Sequence, residues 1–456
     1  MMAENERQWK FPPYCQKCGK NYNDPHLWCP NCQNLIFIKP IKGPPKSQIL
    51  WDSIWSFAPF LPSFSSQISL QEGATPIISL SNFPELQGLK VKLEFRNPTG
   101  SFRDRASALL VSDAKSIHKK HIIGASTGSF GISLSAYTVK GRLKATNFVP
   151  SNLELSKIEQ MKIYGAKVVD THGTLDSAIN QAKILIKQQD AYFPNPNENL
   201  LTIEGQKTIG LELAFQLENI ENIILPRGSG SLIISVYRGL LDAQASGWIE
   251  KIPHIYAVSL DPNSNVSLVE SLEIKDPRLM HEVTRILKLT QGQEYSIDAL
   301  EMLKDAIAFA KSEGLFIAPG SASVLSAVKQ LKDDKNIDIT NTVAILSGSG
   351  LNAMNIFATQ LGRKKKVVWG LSETSTTRFK ILNIIATQQA NYAPAIANIF
   401  GKTPSLQAIY QNLALLEKDG LIVDQTPNKK RKSYILTKKG QDLLENLQNI
   451  IDLRNL

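Results

Sequence analysis

Two stretches of this chain each run from an apolar strand into a turn built of glycine and hydroxyl-bearing residues. Ile122-Ile123-Gly124-Ala125 leads into Ser126-Thr127-Gly128-Ser129-Phe130-Gly131, and Ile223-Ile224-Leu225-Pro226-Arg227 leads into Gly228-Ser229-Gly230-Ser231-Leu232. Such a strand-to-helix turn aims backbone N–H groups and hydroxyls at an anion, because the first amides of a helix have no intrahelical acceptor. Segments 147–150, 157–161 and 164–169 continue a strand, helix, strand alternation. That is the pattern of a parallel sheet with crossover helices, so the predicted class is α/β.

Ahead of both turns stands Lys92-Leu93-Glu94, followed by Asn97-Pro98-Thr99-Gly100-Ser101-Phe102-Arg103-Asp104-Arg105. This loop resembles the active-site loop of threonine synthases and their fold-type II pyridoxal-phosphate relatives, which read Asn-Pro-Thr-Gly-Ser-Phe-Lys-Asp-Arg. The resemblance implies a two-lobed, tryptophan synthase β-like frame over 46–361. It also implies that the cofactor's lysine would stand at position 103, where this chain has arginine. A guanidinium stays protonated near neutrality and has no free lone pair for a Schiff base. The expectation is a pseudoenzyme with no catalytic residue and no covalent pyridoxal phosphate.

Further segments extend the resemblance in family order. Glu72-Gly73-Ala74-Thr75-Pro76-Ile77 is similar to the family's entry segment, and Ile203-Glu204-Gly205-Gln206-Lys207-Thr208-Ile209 also looks like the family. Lys207 is a lysine that the family-like segment carries in addition to the cofactor's. Ser129 stands where the resemblance implies an asparagine at the cofactor's ring hydroxyl, while Ser126 and Thr127 are placed to hold a carboxylate. Gly228 to Ser231 stands in for a glycine-rich phosphate loop, with Arg227 adding a cation at its mouth. Ala318 replaces a family carboxylate, and Ser347 stands where a hydroxyl would meet the pyridine nitrogen. The expected ligand-binding set is Arg103, Ser126, Thr127, Gly128, Ser129, Gly228, Ser229, Gly230, Ser231 and Ser347. Its ligand would be a small anionic metabolite: an amino acid, a phosphorylated amino acid or noncovalent pyridoxal phosphate.

All four cysteines fall in one window, Cys15-x-x-Cys18 and Cys29-x-x-Cys32. Two such pairs put four thiolates on two tight turns, which suits a structural, tetrahedral zinc ion in a ribbon over 10–38. Two disulfides are the alternative, disfavoured because the polar start carries no secretion signal. His26 between the pairs reads as a loop residue, and four sulfurs leave no open position for hydrolytic zinc chemistry. A zinc ribbon ahead of this frame also resembles some threonine synthase-like chains. No run reaches the roughly 18 apolar residues of a membrane span, so the expected compartment is the cytoplasm, with no membrane partner.

The formal charge of +10 is unevenly spread: residues 362–456 hold 15 Lys/Arg against 7 Asp/Glu, which is +8 of it. Within 372–456, helical spacing marks 377–387, 392–400 and 405–418. A strand at 421–422, a basic tip Asn428-Lys429-Lys430-Arg431-Lys432 and a returning strand at 433–436 follow. That order resembles the winged helix-turn-helix domains of prokaryotic transcription regulators. The resemblance implies double-stranded DNA as partner, met by Ser405, Gln407, Ala408, Tyr410, Gln411 and Asn412 on the third helix and by Lys429, Lys430, Arg431 and Lys432 on the wing. Leu443, Leu444, Leu447, Ile450 and Ile451 would cap the unit or pair two copies into a homodimer.

The leading expectation is therefore a DNA-binding transcription regulator that senses an anionic metabolite through an inactive threonine synthase-like domain. Two alternatives stand beside it. One is an active pyridoxal-phosphate-dependent lyase of amino-acid metabolism with a regulatory winged helix. The other is a constitutive DNA-binding protein that uses the frame for dimerisation alone.

Overall fold

The apolar runs read from the sequence become buried strands. In the computed structural model, residues 9–360 and 373–444 are described, apart from 127, 152, 265–268, 270–271, 273–276, 336, 388, 402–403 and 427–431. The chain divides into two units, Met1–Phe357 and Ala358–Leu456.

In the first unit the strands are β1 (Tyr14–Cys15), β2 (Ile36–Phe37), β3 (Ile77–Ser79), β4 (Lys90–Lys92), β5 (His121–Ala125), β6 (Lys144–Val149), β7 (Lys167–Asp170), β8 (Asn222–Pro226), β9 (His254–Leu260), β10 (Glu294–Ile297) and β11 (Thr342–Ile345). Six of them form one sheet in the order β10-β9-β8-β11-β4-β3, parallel except for the antiparallel edge pair β3 and β4. β5, β6 and β7 form a separate parallel sheet. β8 and β11 are buried along their whole length, which is why they read as unbroken rather than alternating apolar runs. The expected α/β class holds, with mixed sheets.

The helix α1 (Arg103–Ser116) is buried from Asp104 to Ala114, because it packs against both α2 (Ser129–Lys140) and the helix Leu200–Gln206. A helix covered on all sides must satisfy every polar group it carries. Arg105 does so with charge. Its guanidinium donates to Glu94 at 2.7 and 2.8 Å, to Glu212 at 2.6 and 3.0 Å, and to the Thr75 and Thr208 hydroxyls. Lys92 reaches the same Glu212 at 2.5 Å and donates to the Thr75 carbonyl and the Gln216 side chain. Burial alone would raise the Glu212 carboxyl, but the Arg105 and Lys92 cations outweigh it and hold the group at about 2, against an ordinary 4.5.

The N-terminal ribbon β1–β2 packs its apolar side into the largest core cluster, beside Phe57, Phe60 and Ile203. The four cysteines are free of disulfides.

The second unit has helices Glu373–Ala386, Ala393–Phe400 and Leu406–Lys418, then the antiparallel pair β12 (Ile422–Asp424) and β13 (Tyr434–Leu436). Ile381, Leu382, Ile396, Ile409, Leu413, Leu416 and Tyr434 form its core. Ser405 caps the third helix, its hydroxyl accepting from the Ala408 amide at 3.3 Å. A winged helix-turn-helix is not established by this: the tip carrying Lys429, Lys430 and Arg431 and the segment 445–456 lie outside the described residues. Two expected DNA contacts are also engaged within the chain. Asn412 is buried, donating to the Ala408 carbonyl at 2.8 Å and accepting from Arg378, and Lys432 pairs with Glu417 at 3.2 Å. Gln407, Tyr410 and Gln411 are exposed and Ala408 is half-buried.

Replacing Glu212 by Gln leaves Lys92 and Arg105 buried with one carboxylate between them, and breaking such a pair costs about 3–5 kcal/mol. Because the folded carboxyl titrates below its unfolded value, its contribution is complete above about pH 4.5 and is lost as pH falls toward 2. Denaturant unfolding at a series of pH values should therefore show the wild type more stable at pH 7, with the gap to Glu212→Gln closing through that window.

Candidate active site

A cavity of about 170 Å³ opens where α1 and α2 begin and β8 and β11 end. Arg103, the first residue of α1, lines it and stacks its guanidinium 4.7 Å from the Phe102 ring centre. Burial lowers that guanidinium to about 10, so it stays charged at neutral pH, and no carboxylate among the described residues opposes it. The loop before it is fixed from both ends. The Phe102 amide donates to the Ser347 carbonyl at 3.1 Å, Asn352 donates to the Thr99 carbonyl at 3.0 Å, and Thr99 donates its amide and hydroxyl to Asp104 at 2.7 and 2.6 Å.

On the α2 side, the Ser126 hydroxyl accepts from the Gly128 and Gly131 amides at 3.1 and 2.8 Å and shapes the turn into the helix. Ser126 and Ser129 line the cavity, Gly128 lies beside it, and Thr127 is outside the described residues. Across the cavity, Gly228, Ser229, Gly230 and Ser231 all line it and lead into the helix Ser231–Ala245. Gly230 takes the left-handed angle, φ 93°, where an added Cβ would stand 2.6 Å from Val283. Ser231 is thereby free to be the first helical residue, so the turn survives the serine there. Ser347 also lines the cavity, its hydroxyl 3.1 Å from that of Ser321.

Arg227 and Lys157 behave differently from expectation, whereas Lys207 stays out of the site. Arg227 is turned to Glu294 at 2.6 Å and does not line the cavity. Lys207 is locked by Glu204 at 2.6 Å and Asp242 at 2.8 Å, away from the site. Lys157, from α3 (Leu155–Ile163), lines the cavity and was not singled out by its sequence context.

The model of the family described as "Pyridoxal-phosphate dependent enzyme" matches residues 68–348. The chain belongs to that family. A threonine synthase of Methanocaldococcus jannaschii is 29% identical, with 74% of this chain and 92% of the relative aligned. A threonine synthase of a Bacillus species is also 29% identical, over 66% of this chain and 90% of its own. Among solved structures, an O-acetylserine-dependent cystathionine beta-synthase of Helicobacter pylori superposes with a TM-score of 0.52 at 22% identity, covering 62% of this chain and 95% of its own. A cysteine synthase of Entamoeba histolytica superposes with 0.52 at 18% identity, covering 63% and 88%. These two share the fold.

Those matches overturn two expectations, the inactive sensor and the DNA-binding regulator. The relatives that align over most of this chain are named as enzymes, and the matching family model is that of pyridoxal-phosphate-dependent enzymes. The Gly228–Ser231 turn, the Ser347 hydroxyl and the Lys157 side chain line the same cavity as Arg103. The donor set fits pyridoxal phosphate at two places: the amides and hydroxyls at the start of the helix Ser231–Ala245 suit a phosphate, and Ser347 suits the ring nitrogen.

The cysteine cluster forms a second site. Its four sulfurs lie within 4.8 Å of one another, with Cys15 and Cys32 at 3.4 Å and Cys18 and Cys29 at 3.7 Å. Zinc–sulfur bonds of about 2.3 Å place tetrahedral sulfurs roughly 3.8 Å apart, so the cluster suits a metal such as zinc. Metal analysis of the purified chain should find one zinc per chain. Cys29→Ser should lose it and lower the melting temperature, because metal affinity is folding energy in such ribbons.

Among the described residues no helix is long and apolar enough to cross a membrane.

Proposed function

We propose that this chain is a pyridoxal-phosphate-dependent lyase that makes threonine or a near analogue from an amino acid carrying a second anionic group. The observation that supports this reading is the assembly, around one cavity, of the Gly228–Ser231 helix-start turn, Ser347 and the Arg103 guanidinium, which no carboxylate among the described residues opposes. When bound, the cofactor supplies an electron sink beside the substrate's amino group. The protein's part is placement and charge.

The start of the helix Ser231–Ala245, with the Ser229 and Ser231 hydroxyls, would hold the cofactor's phosphate. Ser347, with its hydroxyl beside that of Ser321, would meet the ring nitrogen, and a neutral hydroxyl there would leave that nitrogen without a counter-charge. Arg103 is then left for the substrate. A fork of N–H donors fits a carboxylate or phosphate through two parallel bonds, which a lysine cannot match. Ser126 and Ser129 offer hydroxyls to the substrate's other acidic group.

The relatives named threonine synthase set the choice of product. Threonine has four carbons, so a phosphorylated four-carbon amino acid and water would give threonine and inorganic phosphate. The assay is the release of both from such substrates by protein loaded with pyridoxal phosphate, and neither product appearing would reject the reading. Arg103→Gln should raise KM for the anionic substrate roughly ten- to hundredfold, the worth of a charge-assisted hydrogen bond, while the bound cofactor's absorbance is kept.

A further inference from the structure

Pyridoxal-phosphate chemistry starts from an amine, and position 103 offers a protonated guanidinium instead. The fully buried lysines Lys92 and Lys207 point elsewhere. Lys92 is fully buried against Glu212, and Lys207 is held between Glu204 and Asp242. Neither lines the cavity. Among the described residues, Lys157 is the lysine that does.

Its route into the cavity is built by a glycine. Gly128, at φ 141°, stands where α2 begins, and a Cβ there would lie 2.8 Å from Lys157 Cδ and 3.5 Å from its Nζ. The lysine stem therefore runs through the space that a side chain at 128 would fill. The carboxylate of Glu154 stands beside the amine, its Oε2 3.6 Å from Nζ. That oxygen is buried and accepts no hydrogen bond from any described residue, so it is available as a proton acceptor next to the amine.

We propose that Lys157, reaching across Gly128, supplies the amine that the family's loop carries at position 103. The inference rests on the pyridoxal-phosphate reading above. The step balances without a redox partner. The Lys157 amine adds to the cofactor's aldehyde carbon, a carbon–nitrogen double bond replaces the carbon–oxygen one, and the oxygen leaves as water with the two amine protons. A proton held by Glu154 can pass to that oxygen or to the nitrogen.

The test is incubation of the full chain with pyridoxal phosphate, reduction with borohydride, and peptide mass spectrometry. The expected result is about one adduct per chain on the peptide containing Lys157, falling to background in Lys157→Arg. In the double variant Lys157→Arg with Arg103→Lys, the adduct should return, now at position 103. That return shows that the cavity is intact and that the single variant lost the amine alone. An adduct on any other wild-type lysine, or none, overturns the assignment. Retention of the cofactor through dialysis and threonine release are read separately, so an enzyme that works without a Lys157 adduct refutes this inference alone, whereas failure of both refutes the reading beneath it.

Discussion

The buried ions Lys92, Arg105, Glu94 and Glu212 set the frame within which everything else is placed. All four side chains are fully buried, so none can fall back on water. Two cations against two carboxylates bring the cluster to neutrality, and the surrounding Thr75, Thr208 and Gln216 groups use the remaining hydrogen-bonding capacity. Desolvating such a cluster costs nearly as much as its attraction returns, so its value lies in allowing one arrangement. Arg105 cannot move along α1 without stranding two carboxylates, and Arg103 begins the same helix at the cavity edge. The register of the helix fixes where that guanidinium points.

A position that loses an amine in this way gains something else. The arginine presents several donors in a rigid plane and keeps its charge though buried, properties suited to holding an anionic group. An amine entering from α3 instead of α1 approaches from the wall formed by the smaller sheet, β5 to β7, which carries α2 and α3 on its crossovers. Substrate clamp and reactive amine then come from different elements, whereas the family loop has its lysine at the clamp's position. Arg103 and Lys157 both line one cavity.

Much of this was legible in the sequence. Apolar runs such as Ile223 to Leu225 are strands because they are buried on both faces, and the glycine–serine turns after them are helix starts because the chain must reverse there. The cysteine spacing alone gathered four sulfurs. What was not legible depends on partners far away in the chain. Arg227 reads as a cation at the mouth of a loop until Glu294 turns it aside. Asn412 reads as an outward polar residue until Arg378 and the Ala408 carbonyl engage its amide inside the unit. The reading of inactivity failed for a related reason. It let one position stand for the whole cavity, while the helix α3 that brings another lysine to it carries no motif of its own.

Gly128 ties these levels together. In sequence it is one small residue of a helix-start turn, explained well enough by backbone geometry, since a φ of 141° suits glycine and few others. In the folded chain the same missing side chain is the corridor for Lys157. An added methyl there would strain the backbone and also meet the middle of the Lys157 stem. The position therefore bears both on how α2 starts and on where an amine sits. This is how a residue chosen for backbone freedom comes to govern the chemistry of another element.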